Sequence, residues 1–198
     1  FLWEELERRS GRRLYFPVGL LQAGAPGGRV VAGVLRSAAE HRLDVEPLTA
    51  PEVQRRFPGF RLPEDWTAVF EKQAGFLLVE DCIETHLDQA ARLGAQIHSD
   101  ETALSWRAVG DGVEVVTDRG SYSASRLVVT AGPWASAMLA DLGLPLEVRR
   151  KPLYWFRTRS SVYRADAGCP GYLFEAPGGV FYGFPEVDEL GIKTEIGR

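Results

Sequence analysis

Residues 125–136 read SRLVVTAGPWAS. Leu127 to Thr130 lean toward β structure and predict a strand. Ala131 and Gly132 interrupt it, and Pro133 and Trp134 open a helix predicted to run to about Leu142. A strand that ends in two tiny residues where a helix begins has two readings. It is an ordinary α/β joint, or a place where something flat or anionic comes close to the backbone. In open α/β sheets ligands gather at the carboxyl ends of strands. A helix N-terminus offers free N–H groups and a positive dipole end, and Ala131 and Gly132 carry little side-chain bulk. The stretch alone leaves both readings open.

Working outward, DCIETHLDQAARLG (81–94) has the period of a helix stopped by Gly94. Three short strands follow in AQIHSDETALSWRA, GVEVVTDRG and SYSASRLVVTAG, with Asp118-Arg119-Gly120 as a hairpin turn. Toward the N-terminus, residues 1–9 form the end of an amphipathic helix, and YFPVGLLQAG (15–24) is a strand. GRVVAGVLRSAAEHRL (28–43) is a helix with Val30, Val34, Leu35 and Ala38 on one stripe. Thr49 and Glu52 have capping-box spacing ahead of a short helix that ends before Pro58. TAVFEK (67–72) and GFLLVE (75–80) are short strands. The last third is β in character, at 148–159, 172–177, 180–185 and 191–196, with Pro177-Gly178-Gly179 as a tight turn. Helices and strands mixed early, a three-strand insert and then consecutive strands predict an α+β fold, or a split α/β arrangement.

With 198 residues, 45% hydrophobic and 25% charged, the chain can bury roughly 70% of its unfolded surface without staples. Its net charge of −4, from 23 basic and 27 acidic residues, argues against a nucleic-acid binder. Arg8, Arg9, Arg12 and Arg13 read as a solvated helix end beside Glu4, Glu5 and Glu7. Cys82 and Cys169 make no CxxC, and His41, His86 and His98 are scattered, so no metal site is expected. No apolar run reaches the ~18–20 residues of a membrane span. Free thiols in a reducing, cytoplasmic setting are expected. The ends, FLWEELERRSG and GIKTEIGR, read as those of a piece cut from a longer chain.

A three-strand insert of this kind recurs in glutathione-reductase-like FAD-binding domains, and the flanks carry the likeness further. LWEELE, RRFPGFRLPEDWTAVFEKQAGFLLVEDCI, LGAQI, SRLVVTAGPWAS, PGYLFEAPGGVFYGFP and GIK follow one another along nearly the whole chain. In that order and spacing the chain resembles an internal segment of the monomeric sarcosine oxidase and N-methyltryptophan oxidase family, among the D-amino-acid-oxidase-like flavoproteins.

The resemblance implies a mixed, largely antiparallel substrate-domain sheet with helices, plus an inner slice of an FAD-binding domain. It divides the chain at 1–73 (substrate domain), 74–143 (FAD domain with a β-meander insert) and 144–198 (substrate domain). It implies FAD as cofactor, a small N-methyl or secondary amino acid as substrate, and O2 reduced to hydrogen peroxide. Lys193 matches the family lysine beneath the flavin ring, a fixed cation favouring the charge that develops as electrons reach O2. Tyr182 and Leu173 match substrate-pocket walls, Ala103 a backbone contact to the adenine, and Ala131, Gly132 and Trp134 the flavin-facing strand end. On the residues alone, Lys193 also reads as an exposed strand-end lysine and Tyr182 as a core aromatic.

The chain departs from the pattern in three ways. It has no GxGxxG, which the family carries upstream. The family's flavin-linking cysteine lies downstream, so neither Cys82 nor Cys169 is expected in that role. Where relatives often have a histidine four residues after the lysine, this chain has Gly197. The segment by itself is therefore expected to be inactive. The other reading is a stand-alone domain that binds a small molecule or a partner without redox chemistry.

Overall fold

The computed structural model describes residues 2–197. Helix α1 (Leu2–Ser10) leads into β1 (Tyr15–Phe16), β2 (Leu20–Gly24), α2 (Arg29–His41) and β3 (Glu46–Thr49). Then come α3 (Ala50–Arg56), β4 (Thr67–Glu71), β5 (Phe76–Leu77) and α4 (Val79–Arg92). A meander of β6 (Ala103–Val109), β7 (Gly112–Thr117) and β8 (Ser121–Ala124) precedes a four-residue helix, α5 (Ala135–Met138). The chain finishes with β9 (Tyr154–Phe156), β10 (Gly171–Ala176), β11 (Gly179–Phe184) and β12 (Ile192–Gly197). It folds as two compact units, one of residues up to His86 together with those from Lys151, the other Leu87–Arg150.

The first unit is built on a seven-stranded sheet in the order β3-β4-β2-β10-β11-β12-β9. Only β2 and β10 run parallel; the other pairs are antiparallel, so the expected mixed, largely antiparallel sheet is what forms. Alternation along each strand sends side chains to opposite faces. Leu21, Ala23, Leu48, Ala68 and Phe70 go to one face and pack with Val53 and Phe57 of the α3 segment, Phe60 and Cys169. The capping box that starts α3 is present: Thr49 N–H donates to Glu52 Oε2 at 2.7 Å. On the other face α2 lies against β2, β4 and β10, burying Val31 and Ala38. The predicted stripe was shifted, since Leu35 is 40% exposed and Val31 takes the inward place. Glu175, reaching from β10, accepts from Val30 N–H at 2.8 Å and caps α2. That hydrogen bond holds the Glu175 carboxyl below its ordinary range, with the Arg29 charge adding to it.

Three predicted strands of this unit are corrected; of 75–80 only Phe76–Leu77 is a strand, and Val79 and Glu80 already belong to α4. The stretch 15–24 is broken at Pro17, and its halves join different sheets: β1 pairs only with β5. Of 148–159 only Tyr154–Phe156 is a strand, because pairing with β12 extends no further than Ile192–Thr194.

The second unit is the β6-β7-β8 antiparallel meander with the segment around α5. The turn between β7 and β8 falls at 118–120 as expected, whereas 95–102, expected in the first strand, lies outside β6. The stretch 125–131, predicted as a strand, joins no sheet. Propensity alone does not make a strand; a ladder neighbour does, and Leu127 to Thr130 have none among the described residues. The helix predicted from Trp134 to Leu142 is likewise broken into a 3₁₀ turn (Gly132–Trp134), α5 and a second 3₁₀ turn (Ala140–Leu142).

Candidate functional site

The residues singled out from the sequence fall in two places, one in each unit. In the first unit, register puts Leu173, Tyr182 and Glu195 in one cross-strand row, since Leu173 pairs with Tyr182 and Tyr182 with Glu195. Lys193 is two residues from Glu195 on the same strand and so on the same face. It is flanked by its register partners Phe184 and Trp155. The structure thus brings together Lys193, Tyr182 and Leu173 on the face opposite the main core. Gly191 makes the approach to β12 possible: its φ is +97°, and a Cβ there would meet Phe156 O at 2.2 Å.

Lys193 is half-buried, and its Nζ lies 5.2 Å from the centre of the Trp155 ring, within cation–π range. No ion pair to it is formed among the described residues. Tyr182 donates its hydroxyl proton to Glu195 Oε2. That bond, then burial and the carboxylate's charge, push the phenol above its ordinary range. Glu195 is 6% exposed, an acidic side chain held inside a sheet. Sequence reasoning stopped at GIK and missed it, although alternation in Lys193-Thr194-Glu195 already places it beside the lysine.

In the second unit a cleft of about 920 Å³ is lined by Ala103, Ala131, Gly132 and Trp134, together with Glu101 and Met138. The four residues named from the sequence for a cofactor are therefore neighbours here. Gly132 has φ +52°, and a Cβ placed on it would meet nothing within 4 Å. Backbone conformation, rather than crowding by the chain itself, calls for glycine, and the space above it is open. Trp134 is 72% exposed. Trp106 Nε1 donates to Met138 O at 2.9 Å, tying α5 to the meander. Glu101 accepts from the hydroxyls of Thr117 and Tyr122, which hold its carboxyl below the usual range, with His98 adding to the effect. The expected helix dipole is not available: a three-residue 3₁₀ turn follows Ala131, and Trp134 N–H is already bonded to Ala131 O at 3.0 Å.

Ala103, Ala131, Gly132 and Ala137 contribute little side-chain bulk to the cleft, while Leu104, Trp134 and Met138 give it apolar surface. No lysine, arginine or histidine is among the residues that line the cleft. Cys82 and Cys169 are both buried and free. Burial pushes the Cys169 thiol up to about 11 and raises that of Cys82, the opposite of a poised thiolate. Among the described residues no cluster of His, Cys, Asp or Glu could hold a metal ion, and no helix is long and apolar enough to cross a membrane.

Comparison with known proteins gives a consistent picture. The family described as DAO, FAD dependent oxidoreductase, matches residues 1–195. A monomeric sarcosine oxidase of Streptomyces avermitilis is 40% identical over 202 residues, covering 100% of this chain and 52% of that protein. An N-methyl-L-tryptophan oxidase of Yersinia pestis is 31% identical over 93% of the chain and 49% of its own length. Among solved structures, NikD, an amino acid oxidase essential for nikkomycin biosynthesis, superposes with TM-score 0.74 at 26% identity, over 98% of this chain and 52% of NikD. The chain spans about half the length of the curated relatives it matches.

Proposed function

Since the chain belongs to the FAD-dependent oxidoreductase family, we propose that the whole protein oxidises the C–N bond of N-methyl or secondary amino acids of the sarcosine type. The nitrogen first gives up its extra proton, the carbon next to it then loses a hydride, the resulting iminium ion is hydrolysed, and the two electrons pass to O2, which takes up two protons and ends as hydrogen peroxide. FAD, when bound, supplies the two-electron acceptor. The observation that carries this reading is the sheet face on which Lys193, Tyr182 and Leu173 stand together.

On this reading Ala103, Ala131, Gly132 and Trp134 hold part of the cofactor in the second unit. Lys193 supplies a fixed positive charge that favours anionic character as O2 is reduced. Its packing against Trp155 limits where that charge can go. Leu173 and Tyr182 form a wall, apolar at one position and polar at the next, that orients a small amino acid.

The test is oxygen uptake and peroxide release by the full-length holoenzyme across a panel of amines. Turnover of N-methyl amino acids is expected; no oxygen uptake with any of them would reject the proposal. Lys193→Met should slow reoxidation by O2 by on the order of 10²–10³ and leave anaerobic reduction by the amine close to wild type. The 198-residue chain alone, lacking GxGxxG, should release no peroxide when given sarcosine and FAD.

A further inference from the structure

Glu195 plays no part in the chemistry above, and its placement is unusual for an acidic side chain. It is 6% exposed, lies in the middle of β12, and has no ion-pair partner among the described residues. Its one hydrogen-bonded contact there is the hydroxyl of Tyr182, its direct partner across the ladder. A buried carboxylate is costly unless its oxygens are satisfied, so the pairing constrains both groups.

The consequence lies in the proton count of the phenol. A tyrosine hydroxyl has one proton to donate and lone pairs to accept with. An ionised carboxylate can only accept. With its one proton committed to Glu195, Tyr182 turns only lone pairs toward anything else that reaches it. A free tyrosine could rotate its proton to greet a carboxylate, an ether or an amine alike; this one accepts an N–H and repels an acceptor.

We propose that Glu195 is a positioning residue that fixes the Tyr182 hydroxyl as an acceptor, so that this sheet face selects an amino acid whose nitrogen arrives as a cationic N–H donor. The inference rests on the reading of this face as the substrate wall and adds to it a substrate form and the residue that enforces it. The recognition is made by one short-range bond to a phenol oxygen, with the buried acid acting through it.

The experiment uses the full-length holoenzyme and two ligands that lack a hydrogen on the α-carbon and are not turned over: 2-aminoisobutyrate and 2,2-dimethylpropionate, in which a methyl replaces the ammonium. Their dissociation constants are read from perturbation of the flavin absorbance. The ratio of the two constants measures the value of the cationic N–H. Glu195→Met should reduce that preference about tenfold, the size expected for a hydrogen bond to a charged group. Glu195→Gln, which keeps an acceptor oxygen, should stay within about threefold of wild type, a rescue that a purely electrostatic role would not show. Tyr182→Phe should match Glu195→Met, and the double variant should add nothing further, as for residues acting through one bond.

An unchanged ratio in Glu195→Met, or equal losses in the Gln and Met variants, overturns the proposal. If Glu195→Met does not take up flavin, Tyr182→Phe decides: a tenfold loss supports the role and an unchanged ratio ends it. Turnover of the amine panel by the wild type is scored separately. A protein that oxidises no amine but shows the ratio effect would reject the proposed activity and keep this site. One that turns over amines without the ratio effect would do the reverse.

Discussion

The two units of this chain treat their apolar side chains in opposite ways. Among the described residues, all the buried hydrophobic ones, from Leu14 to Cys169, belong to the unit formed by residues up to 86 and from 151. Between 87 and 150 no described residue is buried, and Leu104, Tyr122, Val128 and Trp134 stand exposed. Stabilisation by burial grows with the apolar area removed from water. The first unit draws on that; the second relies on its ladder and on single ties such as Trp106 to Met138, each contributing about 1 kcal/mol. Stability in one polypeptide is thus unevenly distributed, and the candidate cofactor cleft belongs to the less anchored part.

The sharpest way to test this contrast is to remove a fully buried side chain. Leu21 is 0% exposed, and Leu21→Ala should cost about 2–5 kcal/mol, seen as a lower urea midpoint. A loss below about 1 kcal/mol would mean that the seven-stranded sheet is not the stabilising core. Next in size, Gly132→Val forces a β-branched residue into φ +52° and should cost about 1–2 kcal/mol, confined to faster hydrogen exchange around α5. Trp106→Phe removes the bond to Met138 O and should cost about 0.5–1.5 kcal/mol. Exchange should speed up at residues 135–138 while β10 and β11 stay unchanged; acceleration in both units would break the comparison.

The smallest effect is a pH dependence. The Glu101 carboxyl is held below its ordinary value of 4.5 in the folded state. Its contribution is therefore present above about pH 4.5 and is lost as pH falls through the lowered native value. Protection of β7 and β8 should fade in that acid range, and Glu101→Gln should flatten the profile. An unaltered profile in the variant would remove Glu101 from the account.

Much of the architecture was legible where the signal is local. The Thr49–Glu52 capping box needs only neighbours three residues apart, and it forms as read. The turns at 118–120 and 177–179 also depend on nearby residues alone. The stretch 125–131 shows the limit: Leu127 to Thr130 have strand propensity, but a strand requires a neighbour, and propensity does not supply one. The Leu35-containing stripe was placed about one residue off. A helix of this length can rotate slightly on its sheet, and the contact with β2 and β4 chose Val31.

The candidate sites divide in the same manner. Lys193, Tyr182 and Leu173 were named through likeness to a family, and Ala103, Ala131, Gly132 and Trp134 likewise. That the first three share one sheet face, and that the other four line one cleft, depends on register and chain reversal over tens of residues. Glu195 was passed over because an acidic residue in a polar-looking strand end gives no sign of burial.

What the amino-acid sequence determined by itself was the inventory of elements, their caps and turns, the acidic balance and the kinship, since these rest on short-range sterics, hydrogen bonding and residue identity. The tertiary structure alone decided which strands found partners and which side chains left water. It also turned Glu195 toward Tyr182. Ladder pairing and burial are cooperative, long-range events, and whether an extended segment becomes a strand or a carboxylate is enclosed depends on what the rest of the fold brings beside it.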